Sequence, residues 1–156
     1  MLLAPCSFAF YTMTNPSTAQ TTTRPSRRLV WLWWLLPLGW MALIWTLSAQ
    51  PELLVVVSSR LRDMLAWVAH FSEFAVLAVF LWLATRKTIA IDEQAVLGVA
   101  FFGTALFAVV DELHQVFVPG RTPDVRDLLV DLAGILLALA VIRWLAARQK
   151  QAANQG

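Results

Sequence analysis

Charge is what this sequence has least of. Lys, Arg, Asp and Glu make up 14% of its 156 residues, where soluble domains carry about 25%. A soluble chain of this size could not cover its surface with so few polar groups. Cysteine is nearly absent too: Cys6 stands alone, which excludes an internal disulfide framework and a cysteine-rich metal site. No phosphate-cradling glycine loop, nucleophile elbow or zinc-protease helix occurs. Ser48 and Ser72 have no activating base close by in sequence, so no reaction can be read and an enzymatic role stays open. The formal excess of two positive charges is too small and too scattered to indicate nucleic acid.

What the chain does have is apolar length. Hydrophobic residues make up 59%, and several of the eight tryptophans flank apolar runs, as in proteins anchored at membrane interfaces. Leu29 to Ala49 is 21 residues without a charge, and about 20 suffice to cross the hydrocarbon layer. Pro37 inside it predicts a kink rather than a break. Met64 to Ala84 is a second run, holding His70 and Glu73. Ala95 to Phe117 is a third and reaches Asp111 only near its end; Pro123 to Ala146 is a fourth, apolar after Asp131.

The expected fold is all-α: a polytopic membrane protein whose four-transmembrane-helix bundle covers 29–146. Residues 1–28, rich in Thr, Ser and Pro, read as a disordered arm, and 147–156 as a polar cytoplasmic tail. Residues 1–12 resemble a signal peptide weakly, for want of a basic n-region. A translation start at Met13 would make them an artefact, and that reading is preferred over a start at Met1.

Lys and Arg set an orientation. Eight of them lie in the N-terminal arm, the second connection and the C-terminal end, against four in the first and third connections. The positive-inside rule then puts both termini in the cytoplasm. In that frame His70 and Glu73 fall in the outer part of the second span. Asp111, Glu112, His114 and Gln115 fall at the outer end of the third, and Asp124, Asp127 and Asp131 begin the fourth. Seven charges crowd into residues 111–131.

Helical spacing gathers these groups on faces. Asp111, His114 and Gln115 share one, with Glu112 at its edge; Asp124, Asp127, Asp131 and Gly134 form a stripe; His70, Glu73, Phe74 and Leu77 form another. Ionisable groups in a span are costly against lipid and turn to the bundle or to water. In the connection, Pro119-Gly120 makes a turn. Thr122 is placed to cap the fourth helix with Pro123 at its first position. Arg121 is placed to pair with Asp111 or Asp127. Six acids face two arginines in this region. Some acids therefore carry protons, pair with His70 or His114, or are neutralised by a cation.

Each residue also has a plainer reading. His70 reads as an interhelical hydrogen-bond partner before a metal ligand, and no metal or cofactor is expected. Glu73 and Asp131 read equally well as internal polar glue. Asp124 reads as a helix-start residue, Arg126 and His114 as water-facing groups, and Arg60, Arg62 and Asp63 as a solvated loop. For Asp111, Glu112, Gln115, Arg121 and Asp127 together the functional reading prevails. Structural glue needs one or two polar groups per helix pair, not five around one turn.

The block Asp111-Glu112, Gln115, Phe117, Pro119-Gly120-Arg121, Asp127 and Gly134 resembles the pattern of the VanZ-like family of bacterial membrane proteins. "LSAQP" at 47–51 and His70-Phe71 with Glu73 agree with it. The resemblance spans about residues 29–146. Two positions depart: Asp131 stands where the family often has Asn, and Trp67 where it often has Lys. The resemblance implies a four-span protein of the cytoplasmic membrane and a theme, since the family is named for a member linked to teicoplanin resistance. That antibiotic acts on cell-wall precursors outside the membrane.

The leading expectation is a cell-envelope protein with an outward-facing polar, acidic site that binds membrane lipids or a lipid-linked envelope component. Asp111, Glu112, Gln115, Arg121, Asp127 and Asp131 would form the site with His70 and Glu73. An effect on glycopeptide susceptibility is a theme that the resemblance alone adds to this expectation. The alternatives are a membrane-embedded enzyme on a lipid-linked substrate, an ion carrier, and a purely structural bundle. The oligomeric state is left open.

Overall fold

The computed structural model describes residues 27–50, 59–121 and 123–155. The expected arm up to residue 26, the choice between Met1 and Met13, and Thr122 lie outside the described residues. The chain runs α1 (Arg27–Val30), a 3-10 turn (Trp31–Trp34), α2 (Leu35–Ser48), α3 (Ser59–Thr88), α4 (Glu93–Gln115) and α5 (Val125–Ala153). No strand occurs among the described residues. Trp31–Ser48, Arg60–Thr88, Glu93–Gln115 and Val125–Ala153 are each long and apolar enough to cross a membrane. The chain is therefore an all-α, four-span protein.

Several helix ends differ from the sequence reading, each for a local reason. A proline ring crowds the carbonyl four residues earlier. For Pro37 that carbonyl belongs to Trp33, inside the 3-10 turn, so the disturbance falls at the entry to α2 and not in mid-span. Arg60, Arg62 and Asp63, read as a solvated loop, form the opening turns of α3. The helix of the fourth span begins at Val125 and not at Pro123. Its cap is Asp124, whose side chain accepts the Arg126 N–H at 2.8 Å. Asp92 does the same for α4, accepting from Ala95 N–H at 2.9 Å. α5 continues through the expected tail to Ala153, because "AARQKQAA" consists of strong helix formers.

Short connections make the bundle run up and down. α3 is its central member, packing on α2, α4 and most extensively on α5. Ile44, Phe74, Leu77, Ala78, Leu81, Ala100, Ala108, Ile135 and Leu139 fill the core. Gly134 lets α3 and α5 touch: a Cβ there would collide with the Phe71 carbonyl. Gly120, at φ 82°, supplies the left-handed turn of the α4–α5 connection. Large apolar side chains also cover the outside, including Phe117 at 83% and Phe102 and Val125 at 72% exposure, a surface suited to lipid.

The two ends of the bundle differ. Where α2 and α4 begin and α3 and α5 end, cations sit over indoles. Lys87 lies 5.8 Å from the Trp33 ring, Arg86 5.1 Å from Trp82 and Arg148 4.1 Å from Trp144. Trp34 donates to Thr88 at 3.1 Å and Trp82 to Glu93 at 3.0 Å. Such belts hold a helix end at the headgroup level. The polar residues gather at the opposite end.

Candidate functional site

Four elements converge on that end. α2 contributes Ser48, α3 His70 and Glu73, α4 Asp111, Glu112 and Gln115, and α5 Asp127 and Asp131. By a rise of 1.5 Å per residue, Asp131 lies roughly 9 Å inside the start of α5 and His70 roughly 16 Å inside that of α3. Asp111, Gln115 and Asp131 are 1% exposed, His70 is 7% and Glu112 8%. Burial at this level holds charge only through partners.

The partners form two sets. In the first, Asp111 Oδ2 accepts the Ser48 hydroxyl at 2.7 Å and the Gln115 amide at 3.5 Å. In the second, His70 Nδ1 lies 3.1 Å from Asp131 Oδ1, and its Nε2 lies 3.9 Å from Asp127 Oδ2. Half-buried Glu73 lies within electrostatic reach of His70, Asp111 and Asp131. Glu112 Oε2 accepts the Asp124 N–H at 3.1 Å and so ties α4 to the start of α5. Asp111 Oδ1, Glu112 Oε1 and Asp131 Oδ2 are buried and have no hydrogen-bond partner among the described residues.

The sequence-derived site residues are thus brought together, with one correction in their roles. Arg121 does not pair with Asp111 or Asp127; its Nε donates to the Gln50 carbonyl at 3.3 Å. Its charge stays at the mouth, because Ser48 and Gln115 hold Asp111 and the imidazole faces Asp127. His114 is not simply water-facing: it stacks on Trp45 with ring centroids 3.8 Å apart. Ser48, set aside for lack of a nearby base, finds its carboxylate 63 residues away on α4. The only sequence signal for it was its place in "LSAQP".

Outside the buried cluster lies a cavity of about 260 Å³, lined by Arg62, Asp63, Ala66, Trp67, Gln115, Arg121, Asp124, Arg126 and Asp127. Beside it an apolar groove of about 360 Å³ runs between α3 and α5, lined by Met64, Trp67, Val68, Phe71, Ser72 and Val130. Trp67 borders both. A mixed-charge cavity and an open apolar groove therefore meet at Trp67.

Comparison with known proteins gives one result. A family model described as VanZ/LLP1 matches residues 1–146. No curated protein and no solved structure matches the chain.

Proposed function

The chain belongs to the VanZ/LLP1 family, and from that membership and the geometry of its polar end we propose a cell-envelope protein that binds an envelope lipid or amphiphile. The observation that carries this reading is the meeting of cavity and groove at Trp67. Trp67 separates a chamber holding Arg121, Arg126 and Asp127 from an apolar groove, an arrangement that matches a polar headgroup joined to a hydrocarbon chain. Arg121 and Arg126 would contact phosphate or another anionic group through the planar guanidinium. Asp124 and Asp127 would take amines or hydroxyls. A chamber of about 260 Å³ suits a headgroup rather than a whole lipid, the size of small-molecule sites starting near 300 Å³.

The outward orientation of the site belongs to the same proposal. It is supported by the excess of Lys and Arg at the other end. An envelope component on the outer side is then the partner, and altered glycopeptide susceptibility the phenotype to look for.

Native mass spectrometry of the protein released from anionic and zwitterionic nanodiscs tests the binding. Wild type is expected to retain lipid, and Arg121→Gln/Arg126→Gln to retain at least tenfold less while still inserting. Equal retention by both would remove the reading. In cells, lipid and antibiotic-susceptibility profiles of a deletion strain should be restored by wild type and not by the double variant.

A further inference from the structure

The inner end of the polar site has the makings of a metal centre. His70, Glu112 and Asp131 come from three different helices, α3, α4 and α5, and all are buried; one donor atom from each lies within 4.8 Å of the others. Ligand atoms sharing one ion at about 2.1 Å sit roughly 3 to 4 Å apart. The set therefore closes on an ion with small side-chain adjustments.

A second observation points the same way. Glu112 and Asp131 each commit one oxygen to the protein, to the Asp124 N–H and to His70 respectively. The other oxygen, Glu112 Oε1 or Asp131 Oδ2, is buried without a hydrogen-bond partner among the described residues. Neither acid forms an ion pair with Arg121 or Arg126. Two buried carboxylates with spare oxygens beside one imidazole call for a positive charge.

The imidazole is oriented for it. His70 presents Nδ1 to Asp131 at 3.1 Å and Nε2 towards Asp127 at 3.9 Å. With Nδ1 on an ion beside Asp131, Nε2 would face Asp127, a carboxylate being the usual outer-shell partner of a ligating histidine. The 3.1 Å separation also matches that of two adjacent ligands on one ion. Asp127 lines the polar cavity and so stands between that cavity and His70.

We propose that His70, Glu112 and Asp131 bind a divalent first-row transition-metal ion between α3, α4 and α5, behind Asp127. One imidazole with two carboxylates suits this class better than Mg²⁺ or Ca²⁺, which take oxygen ligands. The ion would leave coordination positions towards the cavity for water or for an oxygen of whatever the cavity holds.

Zn²⁺ titration of the full, tag-free chain, stripped with chelator in lipid-free detergent, tests the proposal independently of the lipid reading. The expected result is one saturable Zn²⁺ per chain, bound at least a hundredfold more tightly than Mg²⁺. The near-isosteric Glu112→Gln and Asp131→Asn should each weaken it at least tenfold. Glu93→Gln, at the other end of α4, should bind as wild type does. X-ray absorption on the loaded wild type should show one imidazole and otherwise oxygen ligands. Absence of saturable uptake, undiminished affinity in Glu112→Gln/Asp131→Asn, or a sulfur-containing shell would overturn the assignment and leave protons as the source of neutrality.

Discussion

Gly134 and Ser48 each act through one contact with a distant part of the chain. At Gly134 the obstacle to a side chain is the backbone carbonyl of Phe71, which cannot rotate aside as a flexible side chain would. Gly134→Ala should therefore force α3 and α5 apart, at a cost of about 1–3 kcal/mol for overpacking. The measurement is the thermal midpoint in detergent; a midpoint equal to wild type would show that the helices part freely. Ser48→Ala would leave Asp111 Oδ2 with only the 3.5 Å contact to Gln115. A buried acceptor stripped of its main donor costs about 1–3 kcal/mol, and the same midpoint should fall accordingly. These partners could not be read from the sequence. Gly134 was legible as a member of the stripe on the fourth span, but not its neighbour Phe71. The partner of Ser48 was not evident near it in sequence, because that partner, Asp111, lies across the bundle. The pairing of Arg121, though not its place at the site, differs for a related reason. Opposite charges near in sequence suggested a pair, but the acids had nearer partners on other helices.

Helices were legible where apolar length sets them, and less so at their ends, where local hydrogen bonds decide. The runs from Leu29, Met64, Ala95 and Pro123 all became helices, yet α3 and α5 extend well past the apolar stretches into charged residues. α3 has 30 residues, roughly 45 Å at 1.5 Å per residue, against a hydrocarbon layer of about 30 Å. Its first turns, with Arg60, Arg62 and Asp63, therefore reach beyond the apolar layer and help wall the polar cavity. The start of α5 depends on two acids. Asp124 caps Arg126 N–H, and Glu112 accepts the N–H of Asp124 itself. Asp124→Ala should cost about 0.5–2 kcal/mol, the usual loss for a capping side chain. Hydrogen exchange should locate it: the amides of the first turn of α5 should exchange faster, those of α4 unchanged. Uniform acceleration across the bundle would mean that Asp124 supports the whole fold and not one helix end.

The bundle as a whole is polar in the sense of a magnet, with unlike ends. One carries Trp33, Trp34, Trp82 and Trp144 with their cations and hydrogen-bond partners, the other the buried carboxylates and the cavity. Sequence alone gathered the acids at one end, since hydropathy fixes the spans and the spans fix which charges share a depth. It did not reveal that the acids divide into an Asp111 set and a His70 set, because that division depends on how the helices rotate about their axes. The asymmetry yields a test of orientation. In a Cys6→Ser background, Pro119→Cys lies in the α4–α5 connection beside the cavity, and Ala90→Cys in the α3–α4 connection beside the tryptophan belt. A membrane-impermeant maleimide applied to spheroplasts should label Pro119→Cys and reach Ala90→Cys only after lysis. The reverse pattern would turn the cavity to the cytoplasm. That would exclude an outer envelope component as ligand, yet leave the metal proposal intact, because the three donors depend on how the helices pack and not on which way they face.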